Sequence, residues 1–182
     1  MKQFLILTGV LFILTGCIGA GKISTVKPQG DNVFPKIEGI DLLGKNRQIP
    51  DTFAGAFNIV TVAFEREHQR DVDTWIGLAL EIMHEREDVR FYEIPLIYKI
   101  NGPYRMFINN GMRSGIPDQA ARERTITVYT DRDAFTRLME MQTDRIYTLL
   151  LNERGEILWR VEGAMTPEIQ QDLISTLKKL SR

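Results

Sequence analysis

Asn58 is followed by Ile59-Val60-Thr61-Val62-Ala63-Phe64, an almost unbroken run of β-branched and apolar residues. The run lacks the in-and-out alternation of a strand with one wet face, so it reads as a central strand buried on both sides. The residues that follow say what buries it. Val72, Trp75, Ile76, Ala79, Leu80 and Met83 recur at helical spacing, with Asp71, Asp73, Glu81 and Glu85 largely off that face. This predicts an amphipathic helix of about four turns, with Gly77 as a weak point inside it.

The alternation continues downstream. Residues 89–94 read as a second strand that Pro95 ends or moves to a sheet edge. Pro103 opens a helix carrying Tyr104, Phe107, Ile108 and Met112, which Gly115 and Pro117 stop. Thr125-Ile126-Thr127-Val128-Tyr129 is a third strand, and Asp131 can cap a helix that turns Phe135, Leu138 and Met139 inward. Residues 146–151 and 156–161 flank Asn152-Glu153-Arg154-Gly155 as a hairpin. Thr166 as cap, Pro167 at the first helical position and Glu168 against the helix dipole start a last helix. That helix is expected to bury Ile169, Leu173, Ile174, Leu177 and Leu180. Upstream, residues 37–49, with turn formers Gly39, Gly44 and Asn46, predict a short hairpin or an irregular piece. From the central strand onward the order is β-α-β-α-β-α-β-β-α, which implies a mostly parallel sheet covered by helices with an antiparallel edge.

The N-terminus has a different character. Lys2 is followed by an apolar stretch, residues 4–14, that is shorter than the ~20 residues needed to span a bilayer, and small residues lead to the only cysteine. Leu14-Thr15-Gly16-Cys17 resembles the lipobox of bacterial lipoproteins. The resemblance implies cleavage before Cys17, a diacylglycerol on its sulfur and an amino group open to acylation. The expected organisation is therefore a signal peptide over 1–16, a lipidated N-terminus and tether over 17–35, and a domain over 36–182. Ile18 is not the aspartate that retains many enteric lipoproteins at the inner membrane, so a periplasm-facing outer-membrane position is favoured where there are two membranes.

Composition removes several function classes. One cysteine cannot form an internal disulfide, a CxxC pair or a multi-cysteine zinc site. The 23 basic and 24 acidic side chains leave no clustered excess of cations for nucleic acid. There is no GxGxxG, P-loop, GxSxG or HExxH. His68 and His84 among Glu65, Glu67, Glu81, Glu85 and Glu87 read as a solvated charged face rather than a metal site. Asp71 and Asp73 complement a helix N-terminus rather than form an acid–base pair. The methionines at 83, 106, 112, 139, 141 and 165 read as core filler. Lys99, Arg105, Arg113, Arg122 and Arg124 form a mild basic excess, which reads as ordinary mixed surface or as a contact for a partner or an anionic lipid.

Tyr147-Thr148-Leu149-Leu150-Leu151 with Asn152-Glu153-Arg154-Gly155-Glu156-Ile157 resembles the hairpin of the thioredoxin fold. Phe34-Pro35, Gly44-Lys45 and Ile49-Pro50 are similar to the N-terminal segment of its peroxiredoxin-like members. The resemblance implies a thioredoxin-like α/β fold: a mixed central sheet with helices on both faces and a C-terminal ββα unit. The family's redox cysteines would stand between Phe64 and Val72, where this chain has Glu65-Arg66-Glu67-His68-Gln69-Arg70-Asp71, and Tyr147 replaces the proline that approaches the active site. Both halves of the redox site are missing, so no catalytic residue and no cofactor are expected.

A narrower resemblance spans about 57–178. Residues 122–131, Phe135, Ile146-Tyr147, Leu158-Trp159 and Glu162-Gly163, with Gln69 and Trp75, are similar to the mitochondrial ATP synthase assembly factor family. It implies an assembly role beside a membrane complex, with Gln69, Trp75, Arg124 and Tyr147 as candidate partner-binding residues. The expected protein is a non-catalytic envelope lipoprotein held to the membrane by lipid at Cys17, with an envelope or inner-membrane protein as partner and no nucleic acid. The alternatives are a diverged thioredoxin- or peroxiredoxin-type oxidoreductase and a small-molecule or metal carrier.

Overall fold

The computed structural model describes residues 32–180. The expected signal peptide, Cys17 and most of the tether lie outside the described residues. Within them the elements are β1 (Ile37–Asp41), β2 (Asn46–Ile49), β3 (Phe57–Ala63), α1 (Gln69–Glu85), β4 (Val89–Tyr98), α2 (Gly102–Gly115), α3 (Gln119–Arg124), β5 (Ile126–Thr130), α4 (Arg132–Leu138), β6 (Tyr147–Asn152), β7 (Ile157–Glu162) and α5 (Pro167–Leu180). One seven-stranded sheet runs in the order β2-β1-β5-β4-β3-β6-β7. The pairs β3/β4 and β4/β5 are parallel and the other four antiparallel, so the mixed sheet and the late hairpin agree with the sequence pattern but the expected mostly parallel sheet does not: the β1–β2 hairpin also joins antiparallel, through β1 against β5.

The central strand is where its composition puts it. Asn58 to Val62 are all buried within β3, which lies between β4 and β6. Val60 and Val62 turn to one face, with Ile94, Leu96, Leu149 and Phe135 of α4. Ile59 turns to the other, with Trp75, Ala79 and Ile82 of α1 and Ile169, Leu173 and Leu177 of α5. Each face is thus a separate apolar layer, which is the arrangement an unbroken apolar strand requires.

Several expectations are corrected. Strand β4 runs through Pro95 and sits inside the sheet. It pairs with β3 over Val89–Pro95, meets Thr125 at Glu93 and pairs with β5 over Leu96–Tyr98, so the proline stands on the last rung of the β3 ladder. Its missing N–H is tolerated at that ladder end. On α1 the inward stripe is Val72, Trp75, Leu78, Ala79 and Ile82, while Leu80 is 41 % exposed. At 100° per residue Leu80 falls about 135° from the stripe's centre. Leu138 and Leu180, also expected inside, are exposed at the last residues of α4 and α5. Phe34, counted with the tether, is fully buried in the α4-side core.

Helix α3 was not foreseen. It follows Pro117 directly, and the Asp118 carboxylate caps it by accepting from the Ala121 N–H at 2.6 Å. The other caps match their residue types: Asp131 accepts from Ala134 N–H at 2.9 Å and Thr166 Oγ1 from Ile169 N–H at 3.3 Å. In the β6–β7 turn Gly155 has φ +78, a conformation that favours glycine, and a Cβ there would come within 2.5 Å of Pro50 Cγ.

Candidate functional site

The place to look is the C-terminal end of β3, where the chain leaves the sheet for α1 and where open α/β sheets bind ligands. Phe64 and a 3₁₀ turn at Arg66–His68 make the connection. The Phe64 N–H donates to His68 Nδ1 at 3.3 Å, and the Phe64 ring meets the edges of His68 and Tyr147, each at 6.4 Å. His68 is therefore a buried acceptor beneath the turn, not part of a solvated charged face. Among the described residues no cluster of three or more His, Cys, Asp or Glu side chains could hold a metal.

Arg132, the first residue of α4, closes this end. Its Nη1 donates to Phe64 O at 3.1 Å and to Glu65 Oε1 at 2.8 Å, and its guanidinium lies 3.9 Å from the centre of the Tyr98 ring. The Tyr98 hydroxyl in turn donates to Asp133 Oδ1 at 2.9 Å. A cation clamped to the last strand carbonyl thus stands beside the start of α1, and the exposed residues of that turn are Glu65, Arg66, Glu67 and Gln69. These groups can hydrogen-bond and pair charges; they hold no sulfur for thiol–disulfide exchange.

The four candidate partner-binding residues do not converge. Gln69 is exposed at the start of α1 and donates through Nε2 to Asp73 Oδ1 at 2.9 Å. Arg124 ends α3 and lies 3.8 Å from Glu93 Oε1 and from Asp118 Oδ2, its side chain 14 % exposed. Trp75 is 1 % exposed; its indole N–H donates to Gly163 O at 3.1 Å and its ring meets Trp159 edge-on at 6.2 Å. It offers no surface to a partner and instead fastens α1 to the segment after β7. Tyr147 is buried on the opposite face of the sheet, where its hydroxyl oxygen accepts from Gln142 N–H at 2.9 Å and Arg160 lies 4.8 Å over its ring. A cleft of about 250 Å³ opens beside it, lined by Glu140, Gln142, Arg145, Arg160 and Glu162. Arg160 spends its donors on the carbonyls of Met139 and Glu140, and burial holds its guanidinium below the ordinary value.

Glu93 belongs to a buried polar row that no sequence motif announces. On the α1 face, Thr148, Thr61, Glu93 and Thr125 stand in register across β6, β3, β4 and the start of β5, and all four are buried. Thr61 and Thr148 share a hydrogen bond of 3.1 Å, and Thr125 Oγ1 donates to Ala121 O at 2.8 Å. Glu93 faces Arg124 and the charge of Asp73; burial pushes its carboxyl above the ordinary range, and Arg124 pulls the other way. Buried Nε of Arg124 and Oγ1 of Thr127 find no hydrogen-bond partner among the described residues. A single acid at an inward-facing position of an apolar strand was the available signal.

The basic stretch of residues 99–125 is mostly structural. Arg113 Nε donates to Leu42 O at 2.7 Å, Arg122 to Ile116 O at 2.6 Å and to Arg113 O at 2.9 Å, and Arg105 to Ile100 O at 2.8 Å. These arginines tie α2 and α3 to the backbone around them.

No protein-family model matches the chain, and no curated protein does. Solved structures do. The thioredoxin domain of a thiol-disulfide oxidoreductase from Bacteroides vulgatus is 15 % identical over 85 % of this chain and 99 % of its own, with a TM-score of 0.53. Etrx1, the pneumococcal exposed lipoprotein thioredoxin from Streptococcus pneumoniae, is 12 % identical over 80 % of this chain and 99 % of its own, with a TM-score of 0.52. BsSco, a member of the Sco family of cytochrome c oxidase assembly proteins, is 14 % identical over 82 % and 95 %, with a TM-score of 0.54. Likeness at these identities speaks for architecture: the chain has a thioredoxin-like α/β fold.

Proposed function

We propose that this chain is a lipid-anchored, non-catalytic thioredoxin-fold domain of the cell envelope that binds a protein partner and assists the assembly or folding of a membrane complex. The observation that carries the reading is the end of β3: residues 65–71 contain no sulfur, and Arg132 is clamped onto Phe64 O and Glu65. The chain's only cysteine is Cys17, within Leu14-Thr15-Gly16-Cys17, where lipidation would remove it from thiol chemistry. A lipid anchor raises the local concentration of membrane-bound clients, so a modest intrinsic affinity suffices. The naming of one similar fold as an exposed lipoprotein and of another as a member of a family of assembly proteins supports both halves of the reading.

Crosslinking followed by affinity purification, from cells with and without the protein, tests it. The expected result is one enriched envelope protein and a reduced level of the complex that contains it. Recovery of no envelope partner, with every membrane complex unchanged, overturns the reading.

A second reading, a diverged oxidoreductase, draws on the similar fold named as a thiol-disulfide oxidoreductase. Peroxide or disulfide turnover that disappears when Gln69 or His68 is replaced would establish it in place of the first.

A further inference from the structure

Helix α2 turns its aromatic residues to the outside. A helix on the surface of a globular protein turns apolar residues to the core and charged ones to water. In α2 the most buried residue is Asn109, whose Oδ1 accepts from the Tyr129 hydroxyl at 2.8 Å, with Ile108 and Met112 half-buried beside it. One turn before it, the Arg105 guanidinium lies 5.0 Å over the Tyr129 ring, and one turn after it Arg113 donates to Leu42 O. Polar groups therefore share the inward side of the helix with Ile108 and Met112. Its outer half presents Phe107, 78 % exposed, flanked by Tyr104 and Met106, each 65 % exposed. Asn110 and Ser114 complete that side, so it carries no charge.

Two further observations say what covers this face. Residues 99–117 contain Lys99, Arg105 and Arg113 and no Asp or Glu, within a chain whose net charge is −1. Lys99 is exposed, and no ion pair engages it among the described residues. Exposed Lys99 beside the helix start, with the half-buried guanidinium groups of Arg105 and Arg113 beneath it, leaves the stretch net positive behind an uncharged aromatic face. At a lipid interface apolar side chains enter the acyl boundary and positive charge is drawn to anionic headgroups. The second observation is distance. The described chain begins at Asn32, and residues 18–31 reach at most about 50 Å from a lipid-bearing Cys17. A domain of this size is about 40 Å across, so every face lies within that reach.

We infer that α2 is a membrane-docking element that seats Tyr104, Met106 and Phe107 in the interface of an anionic bilayer. The inference rests on the lipid-anchor reading only for proximity. Docking would fix the rotation of the domain on the membrane, which a tether alone leaves open.

The test uses the full chain carrying Phe107→Trp, incorporated into phosphatidylcholine vesicles with and without phosphatidylglycerol, some with brominated acyl chains. The wild-type chain supplies the background, since Trp75 is buried and Trp159 is partly buried. The emission gained at position 107 is expected to fall at least about twofold with brominated chains in the anionic vesicles, and less in the neutral ones. Flotation of the vesicles reads the anchor separately. A chain that floats without quenching at 107 overturns the docking of α2 and leaves the anchor standing; a chain that does not float overturns both. A blue shift at 107 that deepens with protein concentration and ignores bromine assigns the face to a second copy, and also overturns the inference.

Discussion

Helices α1 and α2 each follow a parallel strand of the same sheet, and both are amphipathic in sequence, yet they meet the protein with unlike sides. Helix α1 buries Val72, Trp75, Leu78, Ala79 and Ile82 against the sheet and α5. Helix α2 buries Asn109 and exposes its aromatics. The difference lies in what each finds beneath it. Helix α1 sits over Ile59, Phe91 and Leu150, whereas the strand position facing α2 is Tyr129, a ring with a polar tip that recruits Asn109 and Arg105. Periodicity reveals that a helix has two unlike faces; the receiving surface decides which one turns inward.

That contrast can be broken by substitution. Trp75→Ala removes a buried indole and its bond to Gly163 O, and is expected to cost about 3–5 kcal/mol in urea unfolding. A loss below about 1 kcal/mol would show that α1 is not tied down as described. Asn109→Ala removes the hydrogen bond that seats α2, with an expected loss of about 1 kcal/mol and faster amide exchange confined to residues 102–115. Equal acceleration across α1 would mean that the two helices open as one unit.

Glu93 faces Arg124 of α3 and the charge of Asp73 on α1, and here the sign reverses. Burial raises its carboxyl pKa in the folded state, so between the unfolded and folded values the folded chain binds more protons, and stability falls as pH rises through that window. Glu93→Gln keeps an amide oxygen facing Arg124 and removes the buried charge. It is expected to stabilise the fold at pH 7 by under about 1 kcal/mol, with the gain shrinking as pH falls toward the ordinary carboxylate range. A gain that stays constant with pH would show that the carboxyl does not titrate as its surroundings dictate. Phe107→Ser should change stability in solution least, within about 0.5 kcal/mol, because Phe107 has little contact to lose. A loss like that of Trp75→Ala would mean that α2 packs on its outer face after all.

Residues whose role depends on one dominant force were legible in sequence. The apolar run in β3, the caps at Asp131 and Thr166 and the hairpin around Gly155 appear where they were expected. Pro95 does not end β4, because its missing donor matters only relative to its neighbours and it stands on the last rung of the β3 ladder. The candidate site was less legible for a similar reason. Trp75 and Tyr147 look like binding residues in one dimension and are core residues in three, on opposite faces of the sheet. Glu93 and Arg124 lie far apart in the chain, and Arg132 gains meaning only through Phe64 O, so no local pattern announces either arrangement.

The way the described chain begins has a mechanical consequence. Asn32 exchanges hydrogen bonds with Ile157, the Phe34 N–H donates to Gly155 O at 2.8 Å, and the Phe34 ring is buried beside Phe135. Any load carried by the preceding residues therefore enters the domain at the turn between β6 and β7. That turn lies at the far end of the sheet from Phe64 and Arg132, about 20 Å away along the strands. A pull on those preceding residues acts on the clip at 32–34, at the end of the sheet remote from the turn that opens α1.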